Sequence, residues 1–118
     1  MDKIEIDKQV KKEVKRLKAI FKDIDSSNKA LVDGLINQAA RLRVSLDIMW
    51  EDISTNGDTE KFTQSEKTDP YERERPVARL FNNRDKNYQS IIKLLTDKLP
   101  EDKVEDVTEE ILSFAFKK

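Results

Sequence analysis

Apolar residues recur at alternating spacings of four and three along two long stretches of this chain, and a third stripe, interrupted at Asn83, Arg84 and Asp85, follows. In the first stretch they are Val10, Val14, Leu17, Phe21 and Ile24. Such spacing places side chains on one face of an α-helix, which has about 3.6 residues per turn. Only two glycines and three prolines are available to interrupt 118 residues. The pattern therefore predicts a mainly all-α fold.

A second helix is predicted over residues 29–53 and a third, long helix over residues 76–99. The polar segment 25–28 supplies short side chains that accept hydrogen bonds from the free amides of a helix start. Pro76 suits the first turn of the third helix, because its fixed φ is helical and the missing N–H would be unpaired there. Pro100 ends that helix, because proline disfavours helix in the residue before it.

The organisation predicted from these boundaries is a single helical domain over residues 1–118. The basic N-terminal helix of residues 1–24 forms a helical hairpin with the second helix, and the third helix packs across this pair. Residues 54–75 lack a helical stripe and predict a loop or a small β-hairpin, with residues 60–64 as a candidate strand. Residues 101–118 form an acidic and aromatic tail with a short C-terminal helix.

Several functional classes have no support in the sequence. The chain has no cysteine and no histidine, which removes thiol nucleophiles, Cys/His metal sites and the commonest general base. No glycine-rich phosphate loop, nucleophile elbow or calcium loop is present. We therefore expect a non-enzymatic protein with no cofactor, no metal and no small-molecule substrate. No apolar run approaches the roughly 20 residues that span a bilayer, so we expect no membrane association and a location in the cytoplasm.

Charge is distributed unevenly along a nearly neutral chain, in which 23 Lys and Arg face 24 Asp and Glu. Residues 8–22 contain seven cations and only one acid, Glu13, so this helix could bind the phosphates of double-stranded DNA; a solvated helix face is the alternative. A second basic cluster precedes and enters the third helix, where neighbouring acids make salt bridges an equal expectation. The candidate DNA-binding residues are Lys8, Lys11, Lys12, Lys15, Arg16, Lys18, Lys22, Arg73, Arg75, Arg79 and Arg84.

Two further surfaces are candidates for protein contacts. The stripes of the second and third helices are too numerous for one small core, so they predict a homo-oligomer, although Trp50 at helical spacing is more often a core residue. The candidate oligomer interface consists of Leu46, Trp50, Phe81, Tyr88 and Ile92. The tail is acidic and then apolar, which is typical of a segment that docks in a partner groove; packing on its own core is an equal alternative. Its candidate partner-binding residues are Ile111, Leu112, Phe114 and Phe116.

The order of elements between residues 31 and 100 resembles the small terminase subunits of tailed phages, and of phage satellites, of Gram-positive bacteria. The residues that carry the resemblance are Leu42, Leu46, Met49, Trp50 and Ile53, then Asn56-Gly57, Glu74-Arg75-Pro76, the run Asn87-Tyr88-Gln89-Ser90-Ile91-Ile92-Lys93-Leu94-Leu95, and Leu99-Pro100. The resemblance implies a ring that recognises the packaging start site of viral DNA and delivers it to a large terminase subunit, which holds the ATPase and the nuclease.

This chain departs from many members of that family at its N-terminus. They carry a helix-turn-helix DNA-binding domain there, whereas residues 1–28 predict one helix. In a ring, repeated copies of one basic helix would supply DNA contacts that a single copy lacks. The alternative function is a helical adaptor that binds only protein.

Overall fold

The computed structural model describes residues 2–104, and these form a mainly helical fold, as predicted. The elements in chain order are helix α1 (Lys3–Ile20), a 3-10 turn (Ser26–Asn28), helix α2 (Lys29–Asn56), strand β1 (Thr59–Phe62), strand β2 (Tyr71–Glu74) and helix α3 (Pro76–Asp97). Residues 101–104, which follow Pro100, are helical. The predicted helical hairpin with a third long helix is confirmed.

Helix α1 is shorter than the basic helix predicted over residues 1–24. Its N-cap is Asp2, whose side chain accepts a hydrogen bond from the amide of Glu5 at 2.9 Å. The helix ends at Ile20, where the amide of Phe21 donates to the carbonyl of Leu17 at 2.9 Å. Phe21 nevertheless remains in the core, because the turn that follows still packs against α2.

Helix α2 is the central element, because both α1 and α3 pack against it. It begins at Lys29, the predicted start, and continues three residues beyond the predicted end at residue 53. Gly57 ends it: its amide donates to the carbonyl of Ile53 at 2.8 Å, and its φ of 84° lies in the left-handed region. Glycine adopts this conformation without the clash that a Cβ would cause.

The region predicted as a loop or a small hairpin contains an antiparallel strand pair. Strands β1 and β2 pair in the register Thr59 with Glu74 through Phe62 with Tyr71. The candidate strand over residues 60–64 therefore begins one residue earlier and ends two residues earlier than predicted. Two short strands alone are marginal in water, so contacts with the end of α2 have to hold them.

The hydrophobic core lies along the α1–α2 and α2–α3 contacts. Its most completely buried large side chains are Leu17 of α1, Leu46 of α2, and Tyr88 and Leu95 of α3. Leu99 closes the core after α3, and Val104 packs against the same cluster. No helix in the described part of the chain is long and apolar enough to cross a membrane.

Candidate nucleic-acid interface

Five exposed lysines of α1 lie on the side of the helix that faces away from the core. At about 100° per residue they fall within an arc of about 120°, opposite the direction of Leu17. No Asp or Glu of α1 falls within this arc, and none of the five makes a salt bridge within residues 2–104. We call this surface the α1 lysine face, and it consists of Lys8, Lys11, Lys12, Lys15 and Lys18. Lys22 is also exposed and lies just beyond the end of the helix.

The arrangement of the α1 lysine face follows from the apolar stripe on the other side of the helix. Because the spacing of four and three turns Val10, Val14 and Leu17 toward α2, the residues between them point into solvent. From Lys8 to Lys18 the face is about 15 Å long, which matches about four base steps of a DNA strand. This surface could therefore contact several phosphates along one strand.

Arg16 differs from the lysines that surround it in the sequence. Its guanidinium forms a salt bridge with Glu13, which is buried, and Arg16 is itself only partly exposed. Glu13, the one acid of the basic stretch, therefore faces inward and does not neutralise the α1 lysine face. Of the seven cations predicted to bind DNA in this stretch, the structure exposes the six lysines and ties Arg16 to the protein interior.

A buried cationic residue that the sequence analysis did not single out lies where the three helices meet. Arg43 of α2 is only 3% exposed, and its Nη2 donates to Asp47 Oδ1 at 2.8 Å. The guanidinium carbon lies 5.1 Å from the ring centroid of Tyr88, a distance typical of a cation–π contact. Burial raises the pKa of the Tyr88 hydroxyl above its ordinary value, and Glu13 adds to the rise while Arg43 and Arg16 oppose it. These groups form one electrostatic cluster in the core.

Arg73 and Arg75, two of the second set of candidate DNA-binding residues, hold the β-hairpin together. The Nε of Arg73 donates to Glu60 Oε1 at 2.9 Å, and its guanidinium lies 3.7 Å from the ring centroid of Phe62. Arg75 contacts both carboxylate oxygens of Asp52, at 3.0 and 3.2 Å, and donates to the carbonyl of Gly57 at 2.6 Å. The guanidinium groups of Arg73 and Arg75 are therefore engaged in contacts within the protein. This agrees with the alternative that the arginines of this cluster form salt bridges.

The remaining two candidates lie on α3 and have different surroundings. Arg79 is exposed and makes no salt bridge within residues 2–104. Arg84 is partly exposed, and its Nη1 donates to Ser45 Oγ of α2 at 2.9 Å. The second set therefore does not form one basic surface, because two members belong to the hairpin and two to different sides of α3.

The structure corrects most of the predicted oligomer interface. Leu46, Phe81, Tyr88 and Ile92 are buried within the single chain, where they join the core between α2 and α3. A folded subunit cannot present these side chains to another copy, so their assignment to a subunit interface was wrong. Their apolar spacing reports contacts between the helices of one chain.

Trp50 is the member of that set that remains at the surface. It is 39% exposed, and its ring lies 5.9 Å from that of Phe81 across the α2–α3 contact. The predicted partner-binding residues Ile111, Leu112, Phe114 and Phe116 lie outside the described residues.

Comparisons of the chain with protein-family models, with curated proteins and with solved structures found no match. Within residues 2–104 no group of three or more acidic side chains could hold a metal ion.

Proposed function

We propose that this chain is a non-enzymatic DNA-binding protein that acts as the small subunit of a phage terminase. As a homo-oligomer it would bind the packaging start site of viral DNA and recruit or regulate the large subunit, the ATPase and nuclease. The α1 lysine face carries the proposal for DNA binding. The resemblance of residues 31–100 to small terminases carries the more specific assignment.

The electrostatics of the α1 lysine face suit binding to a polyanion. Each lysine that neutralises a phosphate releases condensed counterions, so DNA affinity falls steeply as salt rises. None of these lysines makes a salt bridge within residues 2–104, so their ammonium groups are available to phosphates even though the whole chain has a net charge of −1. An assembly of several copies would multiply these contacts, because later contacts form at a high effective concentration.

The first experiment removes four of the five lysines of the α1 lysine face. Lys11, Lys12, Lys15 and Lys18 are replaced together by Ala, while Arg16 is kept because it pairs with buried Glu13. We expect the plot of log affinity against log salt for duplex DNA to become shallower by about one unit for each phosphate that the variant no longer neutralises. Fluorescence anisotropy with labelled DNA between low and physiological salt measures this slope.

A matched control removes the same amount of charge from other surfaces. Lys29, Lys67, Lys93 and Lys103 are exposed and lie outside α1, so replacing them by Ala gives the same net charge as the first variant. If both variants lose the same affinity, DNA binding depends on net charge and not on the α1 lysine face. Sequence preference is tested by competing a packaging start region with random duplex.

The homo-oligomer is tested separately. Light scattering combined with size-exclusion chromatography should report a mass several times the 13.8 kDa of one chain. A monomer at high protein concentration would contradict the ring, even if the α1 lysine face binds DNA.

The alternative function is a helical adaptor that binds only protein. Exposed leucines on α2 and α3, among them Leu31 and Leu94, are the observation that favours it. If the protein binds no duplex at low salt, including one that contains a packaging start region, the adaptor is the function that remains.

A further inference from the structure

A groove of about 560 Å³ lies between α2 and α3. It comes next to the α1 lysine face at Arg41, which also lines a second cavity with Lys11 and Asp7 of α1. Among the residues that line it are Arg41, Leu42 and Ser45 of α2, and Arg84, Asn87 and Ile91 of α3. Leucine and isoleucine thus form part of its floor, and guanidinium, hydroxyl and amide groups lie beside them. The groove combines an apolar strip with polar groups that donate hydrogen bonds.

Most residues that line the groove belong to a second helical stripe on each helix, which lies beside the stripe that forms the core. On α2 the stripe is Leu31, Leu35, Gln38, Leu42 and Ser45, and on α3 it is Leu80, Arg84, Asn87, Ile91 and Leu94. Both follow the spacing of four and three that two helices use to receive a third along their seam. Exposed leucines extend the two stripes beyond the groove. Leu31 is 55% and Leu94 is 51% exposed at the end where α2 begins and α3 ends, and Leu80 is 44% exposed at the other end. The seam is thus unoccupied by any described part of the chain.

The charge of the groove selects the kind of helix that fits it. Arg41 and Arg84 line it, and none of its lining residues is an Asp or Glu. Neither arginine forms a salt bridge within residues 2–104; Arg84 is held by Ser45 Oγ, and Arg41 is exposed. A ligand that brings carboxylates would form charge-assisted hydrogen bonds with these guanidinium groups.

The same charges argue against two other occupants. A second copy packed by the same groove would bring four guanidinium groups together without a lining carboxylate, and like charges in one interface oppose association. Duplex DNA would satisfy the arginines, but it offers no apolar surface for the exposed leucines at either end of the seam.

We propose that the groove between α2 and α3 binds an acidic amphipathic helix of a partner protein. Leucine-like side chains of that helix lie along Leu42 and Ile91, and its carboxylates pair with Arg41 and Arg84. This binding site shares no residue with the α1 lysine face and does not depend on DNA binding.

The test uses two synthetic helical peptides of about 18 residues, long enough to form a stable helix on docking. Both carry leucine at spacings of four and three; one has Glu at the flanking positions, and the other has Gln there. The full chain is titrated with each peptide, and binding is followed by isothermal titration calorimetry and by amide chemical shifts. We expect the Glu peptide to bind at least about tenfold more tightly than the Gln peptide, with shifts centred on residues 38–45 and 84–91.

Matched variants locate the binding site. Arg41→Ala with Arg84→Ala should weaken the Glu peptide by at least about tenfold. Arg79→Ala with Lys93→Ala removes the same charge from the other side of α3 and should leave the affinity unchanged. A variant of α1 with Lys12, Lys15 and Lys18 replaced by Ala keeps Lys11, because Lys11 lines a cavity with Arg41. It should also leave the peptide affinity unchanged, so a loss of DNA binding and a loss of peptide binding are distinguishable.

Several results would overturn the proposal. These are no binding of the Glu peptide, equal binding of both peptides, shifts centred on α1, or equal losses in the Arg41/Arg84 and Arg79/Lys93 variants. If circular dichroism shows that the Arg41/Arg84 variant is unfolded, Arg41→Glu alone replaces it, because Arg41 is exposed and contributes no described salt bridge.

Discussion

Arg43 shows how one charged side chain can belong to a core. Its long apolar stem lies among buried residues of α2, while its guanidinium contacts the Tyr88 ring and the Asp47 carboxylate. Burying an ion is costly unless it is paired. The contacts with Tyr88 and Asp47 offset that cost and link α2 to α3.

Replacing Arg43 by Ala should therefore lower the free energy of unfolding by about 2 kcal/mol. The change removes the buried stem and leaves Tyr88 without its cation. Urea unfolding followed by circular dichroism gives the loss. Arg41→Ala, two residues earlier but exposed, should change stability by less than about 0.5 kcal/mol; a comparable loss there would contradict a special role for Arg43.

The two glycines of the chain should respond to alanine in opposite directions. Gly34 lies inside α2 and a Cβ there would meet nothing within 4 Å, so Gly34→Ala should stabilise by about 0.5–1 kcal/mol. Gly57 has a φ of 84°, so Gly57→Ala should destabilise by about 1 kcal/mol. The shift of the urea midpoint gives both values, and shifts of the same sign would contradict this interpretation.

Arg43 also marks a limit of residue-level prediction. It lies on the buried stripe of α2 with Val32, Ile36, Ala39 and Leu46, at the same spacing of four and three as apolar residues. Hydrophobic periodicity assigns a cationic residue to a solvent-exposed position, so it could not identify Arg43 as a buried residue. The signal available in the sequence was the helical position of Arg43 between small and apolar neighbours.

At the scale of elements, the contacts of Arg75 determine the position of the β-hairpin relative to α2 and α3. Arg75 connects the start of α3 to Asp52 near the end of α2, and its amide donates to the carbonyl of Asp58 at 2.9 Å. The side-chain hydrogen bond from Asn56, together with Arg75, lowers the pKa of the Asp52 carboxyl. The carboxylate form of Asp52 therefore stabilises the junction of helix, hairpin and helix.

This junction predicts a dependence of stability on pH. The pKa of Asp52 in the folded protein lies below its ordinary value of 3.8, so its stabilising contribution is complete above that value and is lost as pH falls through the folded pKa. The stability difference between the wild type and Asp52→Asn should be present at neutral pH and close in acid. Urea midpoints across the acid range measure it, and Asp97→Asn, at an exposed position, is the control. A stability difference between the two proteins that persists at the lowest pH would contradict the stabilising role of the Asp52 carboxylate.

The observed boundaries of the helices agree with the predicted ones where the sequence signal is local. The starts of α2 and α3 at Lys29 and Pro76 agree with the cap segment and with proline chemistry. The end of α1 and the strand limits did not, because they depend on packing against α2 and on the Arg75 contacts with Asp52 and Gly57. Such long-range contacts leave no periodic signal.

For the whole molecule, sequence periodicity identified the apolar faces but not their partners. Leu46 and Tyr88 were assigned to a subunit interface because the stripes exceed what one small core needs, whereas the chain uses them internally. The elongated shape explains why so many stripes are needed: the Cα radius of gyration is 18.0 Å, against about 13.5 Å for a compact domain of this length. An elongated fold has a long core with few residues per cross-section.

Trp50 gives the molecule an internal optical probe. It is the single tryptophan of the chain, and its indole contacts Phe81 while part of it faces solvent. Separation of α3 from α2 would change the polarity around the indole, and hence its emission wavelength, even where helix content is retained. Emission and far-ultraviolet circular dichroism would thus report two distinct events, and coincident curves would mean that the helices form and dock as one unit.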